Sequence, residues 1–310
     1  MSNEPAATQP DPETRCGFIA IIGAPNAGKS TLVNKIVGAK VSIVSHKVQT
    51  TRMPIRGIAI AGKSQLVFID TPGIFEPKRR LDRAMVKAAW TGAGDGDVVA
   101  LIVDAARGID EDVDRILTQL GKSMSKKLLV FNKIDRLEGR EKLLGLTAEI
   151  TKRQSFDKTF MIAALNGDGV DDFKNYLATS VPAGPWHYPE DDITDLPMRM
   201  LAAEITREQI FHRLHDELPY AITVETQSWK KLRTGGVRIE QTIFVERESQ
   251  RKIVLGKGGA TIKAISMEAR KQLMALLEHK VDMFVFVKVR DNWGNDPERY
   301  RELGLEFPSE

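Results

Sequence analysis

Apolar residues in the first 180 positions fall into short unbroken runs: GFIAIIG at 17–23, then 66–69, 98–103, 128–131 and 160–163. A run without polar alternation reads as a strand buried on both faces. Between several of these runs lie helix-length stretches such as 110–122 and 140–153. Strand and helix in alternation predict an α/β domain, a mostly parallel sheet with helices on both faces. The pattern breaks at 181–196, VPAGPWHYPEDDITDL, whose three prolines, one glycine and four acidic residues suit neither a helix nor a central strand. Beyond it come an amphipathic helix over 198–217 and strand candidates at 220–227 and 238–247. A loop with Lys230, Lys231, Arg233, Gly235 and Gly236 separates the two strands. A helix–glycine turn–helix region and a β-prone strand at 281–290 follow, which predicts a second, α+β domain. The expected division is a disordered, proline-rich tail over 1–14, an α/β domain over 15–180, a linker over 181–197 and the α+β domain over 198–310.

A length of 310 residues fits two domains, and 42% hydrophobic with 28% charged residues is ordinary for a globular chain. The longest apolar run among the strand candidates, 98–103, is far short of the ~20 residues a membrane helix needs. The first fifteen residues hold no apolar segment of the signal-peptide kind. Cys16 is the single cysteine, which excludes an internal disulfide framework and suits a reducing compartment. These features point to a cytoplasmic protein. The net charge of +3 is unevenly spread. Residues 1–199 hold 27 Lys+Arg against 25 Asp+Glu, residues 200–290 hold 16 against 11, and residues 291–310 hold 2 against 6. The basic stretch suits either a polyanionic partner or a solvated face.

The segment GAPNAGKS at 23–30 fits G-x-x-x-x-G-K-[ST] where the first strand gives way to a helix. Gly23, Ala24, Pro25, Asn26 and Ala27 would wrap a phosphate chain, while Gly28, Lys29, Ser30 and Thr31 open the helix whose N–H groups face the anion. Lys29 would reach the terminal phosphates and the Ser30 hydroxyl would ligate Mg²⁺. Asp70-Thr71-Pro72-Gly73 is expected to end the second strand, with the Asp70 carboxylate near Mg²⁺ and a backbone N–H near the last phosphate. NKID at 132–135 closes a later strand, bringing Asn132, Lys133 and Asp135 to the carboxyl edge of the sheet. A carboxylate at Asp135 can accept from the N1–H and N2 amine of guanine; adenine offers no such pair, so GTP is selected over ATP.

In this order the three motifs resemble those of the translation-factor-like small GTPases, and more narrowly the Era family of P-loop GTPases. The resemblance extends to Gln49-Thr50-Thr51-Arg52. It implies that Thr51 is the switch residue ligating Mg²⁺ when GTP is bound, and that Lys29, Thr51 and Gly73 form the catalytic set. Asn26 matches an asparagine that helps hold potassium in related GTPases. Ile74 stands where Ras-like proteins carry a water-orienting glutamine, so hydrolysis is expected to be slow or to rely on another element. The family's Ser-Ala pair is Ala163-Ala164 here. The Ala164 N–H is expected at the guanine carbonyl, and the serine hydroxyl is absent.

In the second domain, IVLGKGGATIKAI at 253–265 sets Gly256-Lys257-Gly258-Gly259 between an apolar lead-in and a helix. This resembles the GXXG loop of a type II KH domain, which clamps the backbone of about four nucleotides. Lys257, Lys263, Arg251 and Lys252 would supply charge around it. A second phosphate loop is the rival reading, but the segment lacks a G-K-[ST] ending and a nearby carboxylate. His212 and His215 lie i,i+3 on a helix without a third ligand, so packing is expected of them. Phe284 and Phe286 are expected to divide between core and surface.

The resemblance runs from about 17 to 305 and includes YPEDDITD, ELPYAITVE and VERESQRKIVLGKGGATIK. It implies a monomeric cytoplasmic GTPase that cycles between GTP and GDP with Mg²⁺, and with potassium as a further candidate cation. It also implies binding of the 3′ end of 16S ribosomal RNA through the KH domain, a role in 30S subunit assembly, and peripheral association with the inner membrane. No sequence feature argues for the membrane independently. The expected mechanism has GTP order the segments around Thr51 and 70–83, reorienting the KH domain across the linker. The alternative is a signalling switch acting mainly on a protein or membrane partner. A GTP-driven RNA-modifying enzyme finds no nucleophile or metal cluster outside the GTPase motifs.

Overall fold

The computed structural model describes residues 13–121, 125–139, 141–233 and 235–308. Strands β1 (Arg15–Gly23), β2 (Ile55–Ala61), β3 (Ser64–Asp70), β4 (Val98–Asp104), β5 (Lys126–Asn132) and β6 (Lys158–Met161) form one sheet in the order β2-β3-β1-β4-β5-β6. Only the β2–β3 pair is antiparallel. Ile19 and Ile21 of β1 point into a cluster with α1 (Lys29–Val37) and α5 (Val170–Ser180). Ala20 and Ile22 point the other way, toward α2 (Arg80–Gly94), α3 (Glu111–Leu120) and α4 (Glu141–Arg153). Covering both faces requires apolar residues at every strand position, which is why these strands read as unbroken runs. Lys122 and Arg140, termini of two expected helices, lie outside the described residues.

Strand β2 was not expected, so Asp70 ends the third strand rather than the second. Its run IRGIAIA is broken by Arg56 and Gly57, and it lies at the sheet edge. A Cβ on Gly57 would stand 2.8 Å from Val33, so α1 packs directly on the backbone there. The proline-rich segment covers this exposed edge. Ile58 N–H donates to Ile193 O at 2.9 Å, the Thr194 hydroxyl to Arg56 O at 2.7 Å, and Arg56 pairs with Asp195 at 2.7 Å. The segment runs as a strap along the first domain. Residues 1–12 of the expected tail lie outside the described residues, and Thr14 exchanges hydrogen bonds with Gly184.

The second domain runs α6 (Met198–Arg213), β7 (Thr223–Lys231), β8 (Val237–Val245), α7 (Glu248–Leu255), α8 (Ala260–Leu277) and β9 (Val281–Val289). Its sheet has the order β7-β8-β9, with β7–β8 antiparallel and β8–β9 parallel, the type II KH arrangement. Helix α6 stops at Arg213, short of the expected 217, where the Lys47 ammonium meets the carbonyls of Phe211 and Leu214. One face of α6 packs Leu201, Ala202 and Ile205 on the sheet. Its polar face is buried as well: every residue from Leu201 to Phe211 is buried, because that face lies against residues 40–52 of the first domain.

Phe284 and Phe286 do not divide between core and surface. Side chains two apart on a strand share a face, and both are exposed, at 43% and 52%. After β9, α9 (Pro297–Glu302) returns to the first domain, where Tyr300 and Leu305 pack on Ala84 and Met85 of α2. Among the described residues no helix is long and apolar enough to cross a membrane.

Candidate nucleotide-binding site

The carboxyl ends of β1, β4 and β5, with the loop after β3, border a cleft of about 470 Å³. Asn26, Gly28, Lys29, Ser30, Thr31, Pro25, Thr51, Gly73, Asn132, Lys133, Asp135 and Ala164 all line it. Gly28 has φ 95, and a Cβ there would stand 2.2 Å from Asn132 Nδ2. That closeness lets Asn132 donate to Ala27 O at 2.8 Å while its Oδ1 accepts from Ala164 N–H at 2.9 Å. One amide thus ties the phosphate loop to the loop after β6.

Lys29 is buried, and its ammonium donates to Gly23 O and Ala24 O, each at 3.0 Å. Burial pushes it down to about 8, against the opposing pull of Asp70. Asp70 is fully buried, and burial raises its pKa against hydrogen bonds from Ser42 and Ser30 and the charge of Lys29. Its Oδ2 accepts from the Ser42 hydroxyl at 2.6 Å, and its Oδ1 has no hydrogen-bond partner among the described residues. The Ser30 and Thr51 hydroxyl oxygens are 3.0 Å apart. Two hydroxyls beside a buried carboxylate with an orphaned oxygen make a hard-oxygen donor set that fits Mg²⁺.

Gly23, Ala24, Ala27, Asp70, Thr71, Pro72 and Ala163 stand behind the cleft wall rather than on it. They support it: Thr71 donates to Ile21 O at 2.8 Å, and the carbonyls of Gly23 and Ala24 hold Lys29. The Ala164 N–H, expected at the guanine carbonyl, is engaged by Asn132, and Ala163 N–H donates to Asp168 O at 2.9 Å. Ile74 is buried among the apolar residues between the sheet and α2–α4. Asp104 was not anticipated. It pairs with Lys133 at 2.6 Å while the same ammonium donates to Asn26 O at 2.6 Å. An aspartate closing an apolar run, as Asp70 does, was the available signal. Arg207 and Glu208, which touch the Thr51 segment, offered none, since they lie in the other domain.

In the KH domain, α7 ends at Leu255 and Lys257–Gly259 form a 3₁₀ turn. Gly258 and Gly259 have φ 60 and 80, and a Cβ on either would meet nothing within 4 Å among the described residues, so the outer side of the turn is open to a ligand backbone. Lys252, Lys257 and Lys263 are exposed around it. Arg251 differs: it donates to Val287 O at 3.3 Å and pairs with Glu248 at 3.0 Å, holding α7 to β9.

Residues 18–133 match the family model described as a 50S ribosome-binding GTPase, and residues 217–294 match that of the KH domain. The GTPase Era of Afipia carboxidovorans is 63% identical over 297 residues, covering 96% of both chains. The chain belongs to the Era family. The GTPase Era of Rhizobium meliloti is 62% identical over 295 residues, covering 95% of this chain and 94% of that one. A crystal structure of Era with MgGDPNP and nucleotides 1506–1542 of 16S ribosomal RNA superposes with a TM-score of 0.89 at 36% identity, covering 94% of this Era-family chain and 99% of that one. A point variant of Aquifex aeolicus Era bound to GDP·AlF4⁻ gives 0.87 at 36% identity, with the same coverage.

Proposed function

We infer that this Era-family chain binds GTP with Mg²⁺, hydrolyses it to GDP and phosphate, and holds the 3′ end of 16S ribosomal RNA through its KH domain, assisting 30S subunit assembly. The nucleotide state gates the RNA. One observation carries the gating: Thr51, beside Ser30 in the cleft, stands on a segment whose other side is bonded to the first helix of the KH domain. The likeness to Era with MgGDPNP and 16S RNA supports the choice of ligands.

Each residue has a part. Lys29 exchanges the loop carbonyls for phosphate oxygens. Asp135, on the cleft wall, accepts from the guanine edge. Ser30 and Thr51 would hold Mg²⁺ with Asp70 behind them, a site where a bound cation would supply positive charge to the phosphoryl oxygens. The Gly73 backbone borders the terminal phosphate. Ile74 is buried away from the cleft, so the attacking water is oriented by another group. Asn26 donates to His46 O of the switch segment at 2.8 Å, which brings an amide and a carbonyl together where potassium would add positive charge. Turnover faster in potassium than in sodium supports that part of the reading, and equal rates refute it.

Lys252, Lys257 and Lys263 face the RNA backbone at the GKGG turn. We take the acting unit to be a cytoplasmic monomer. The same exposed cations suit the anionic inner-membrane surface, a peripheral contact that vesicle co-sedimentation tests. The central experiment is affinity for a single-stranded 16S 3′-end oligonucleotide in GTP-analogue and GDP states, with Gly258→Asp alongside. Aspartate tolerates φ 60 and has open space there, so the variant folds while its charge repels phosphate. Binding that depends on nucleotide and is lost in the variant supports the reading. Equal, weak binding throughout refutes it and favours a protein or membrane partner.

A further inference from the structure

We propose that Arg207 and Glu208, on the first helix of the KH domain, are positioning residues for the Mg²⁺ ligand Thr51, so that the metal site of the GTPase domain is complete only with the KH domain docked. The proposal rests on the functional reading above and adds the residues that couple the two domains.

Residues 38–54 connect α1 to β2 without helix or strand. The GTPase domain holds the start of this segment: Asn34 Oδ1 accepts from Val41 N–H and Ser42 N–H at 2.9 and 3.0 Å, and the Ser42 hydroxyl donates to Asp70. From Val44 to Arg52 the anchors come largely from the KH domain. Glu208 Oε1 accepts from Val44 N–H at 2.9 Å. Its other oxygen pairs with Lys40, whose ammonium also donates to Gln272 of α8 at 2.7 Å. The Lys47 ammonium meets the end of α6, at 2.6 Å from Leu214 O. Arg207 donates to the carbonyl of Thr50. Arg52 donates to Ile222 O at 2.7 Å and Tyr220 O at 3.1 Å. Thr51 therefore sits between two residues whose polar groups are fixed by the KH domain.

Arg207 is suited to this task. It is 1% exposed, and Glu204 fixes its guanidinium from one side, with Nε–H donating to Oε1 at 2.8 Å. A guanidinium held in one orientation places the Thr50 carbonyl in one position, and the next residue along carries the hydroxyl 3.0 Å from Ser30. Charged hydrogen bonds to backbone hold a loop more firmly than neutral ones. Neither Arg207 nor Glu208 lines the nucleotide cleft, so their action on the metal passes through the segment.

The test measures the affinity of a fluorescent, non-hydrolysable GTP analogue for the full-length protein in EDTA and across a Mg²⁺ titration. Wild type is compared with Arg207→Met and Glu208→Ala, and thermal unfolding reports the fold of each. Loss of outer contacts to a metal site weakens metal affinity tenfold or more. The expected result is a Mg²⁺ midpoint raised about tenfold in both variants, with the EDTA affinity unchanged. A folded variant whose Mg²⁺ midpoint stays within about twofold of wild type overturns the proposal, and so does an equal loss of affinity with and without Mg²⁺. If Arg207→Met does not fold, Glu208→Ala decides by the same criteria. Absence of Mg²⁺-dependent binding in wild type would instead sink the functional reading.

Discussion

Raising the pH should weaken nucleotide binding through Lys29. In the free protein its ammonium is buried with only two carbonyls and a carboxylate nearby, and it titrates at about 8 instead of its ordinary 10.5. Nucleotide phosphates restore its basicity, so the bound-state pKa exceeds the free-state value. Affinity is then flat below about pH 8, and above it binding must take up a proton, at about tenfold per pH unit. Between pH 7 and pH 9 the protonated fraction of the free protein drops from about nine-tenths to about one-tenth, which weakens binding roughly tenfold, or ~1.4 kcal/mol. Calorimetric titration of GDP at fixed Mg²⁺, in two buffers of different ionisation heat, reads both affinity and proton uptake. A constant Kd from pH 7 to pH 9, without buffer-dependent heat, would refute the reasoning. The same lowered pKa has a stability counterpart. From about pH 8 toward 10.5 the unfolded chain keeps a proton that the native protein has released, so the nucleotide-free protein gains stability as pH rises through that window. Lys29→Met should lose that pH dependence together with nucleotide binding.

Gly28→Ala forces a Cβ to 2.2 Å from Asn132 Nδ2 at φ 95, and should cost about 2–3 kcal/mol in a denaturant titration as well as nucleotide affinity. A variant of wild-type stability would show that the loop relaxes freely. Asp135→Asn should weaken GTP binding by about a hundredfold or more and shift preference toward xanthosine triphosphate, read by competition binding; retained GTP preference would mean that the base is read elsewhere. Tyr300→Ala empties a buried site against α2 and should destabilise by about 3 kcal/mol, seen as a lowered melting temperature; an unchanged melting temperature would mean the C-terminal return contributes nothing.

What the sequence made legible follows the range of the interactions. The phosphate loop, DTPG and NKID are local solutions to backbone geometry, so residue types at fixed spacing expose them. The GKGG turn is local in the same way, needing residues that accept φ 60 and 80 between two helices. Strand β2 escaped because an edge strand half covered by a strap carries Arg56 and Gly57 where a central strand would carry apolar residues. The side-chain period of two on β9 puts Phe284 and Phe286 on one face, so the two cannot divide between core and surface. The amphipathic pattern of α6 shows a polar face but not what covers it. The charges of that face meet a loop more than 150 positions earlier, and no pattern along one chain encodes that register.

The C-terminal return has a consequence for the order in which the chain is made. Ala84 and Met85 of α2 emerge in synthesis more than 200 positions ahead of their cover, Tyr300 and Leu305. Lys87 and its partner Glu306 are 219 positions apart. The first domain can assemble its sheet on the ribosome, yet the outer apolar side of α2 stays bare until residues 300–305 have been translated and have cleared the exit tunnel. A premature stop after position 296 would leave that patch open for the lifetime of the product, with sticky surface where the full-length chain seals itself.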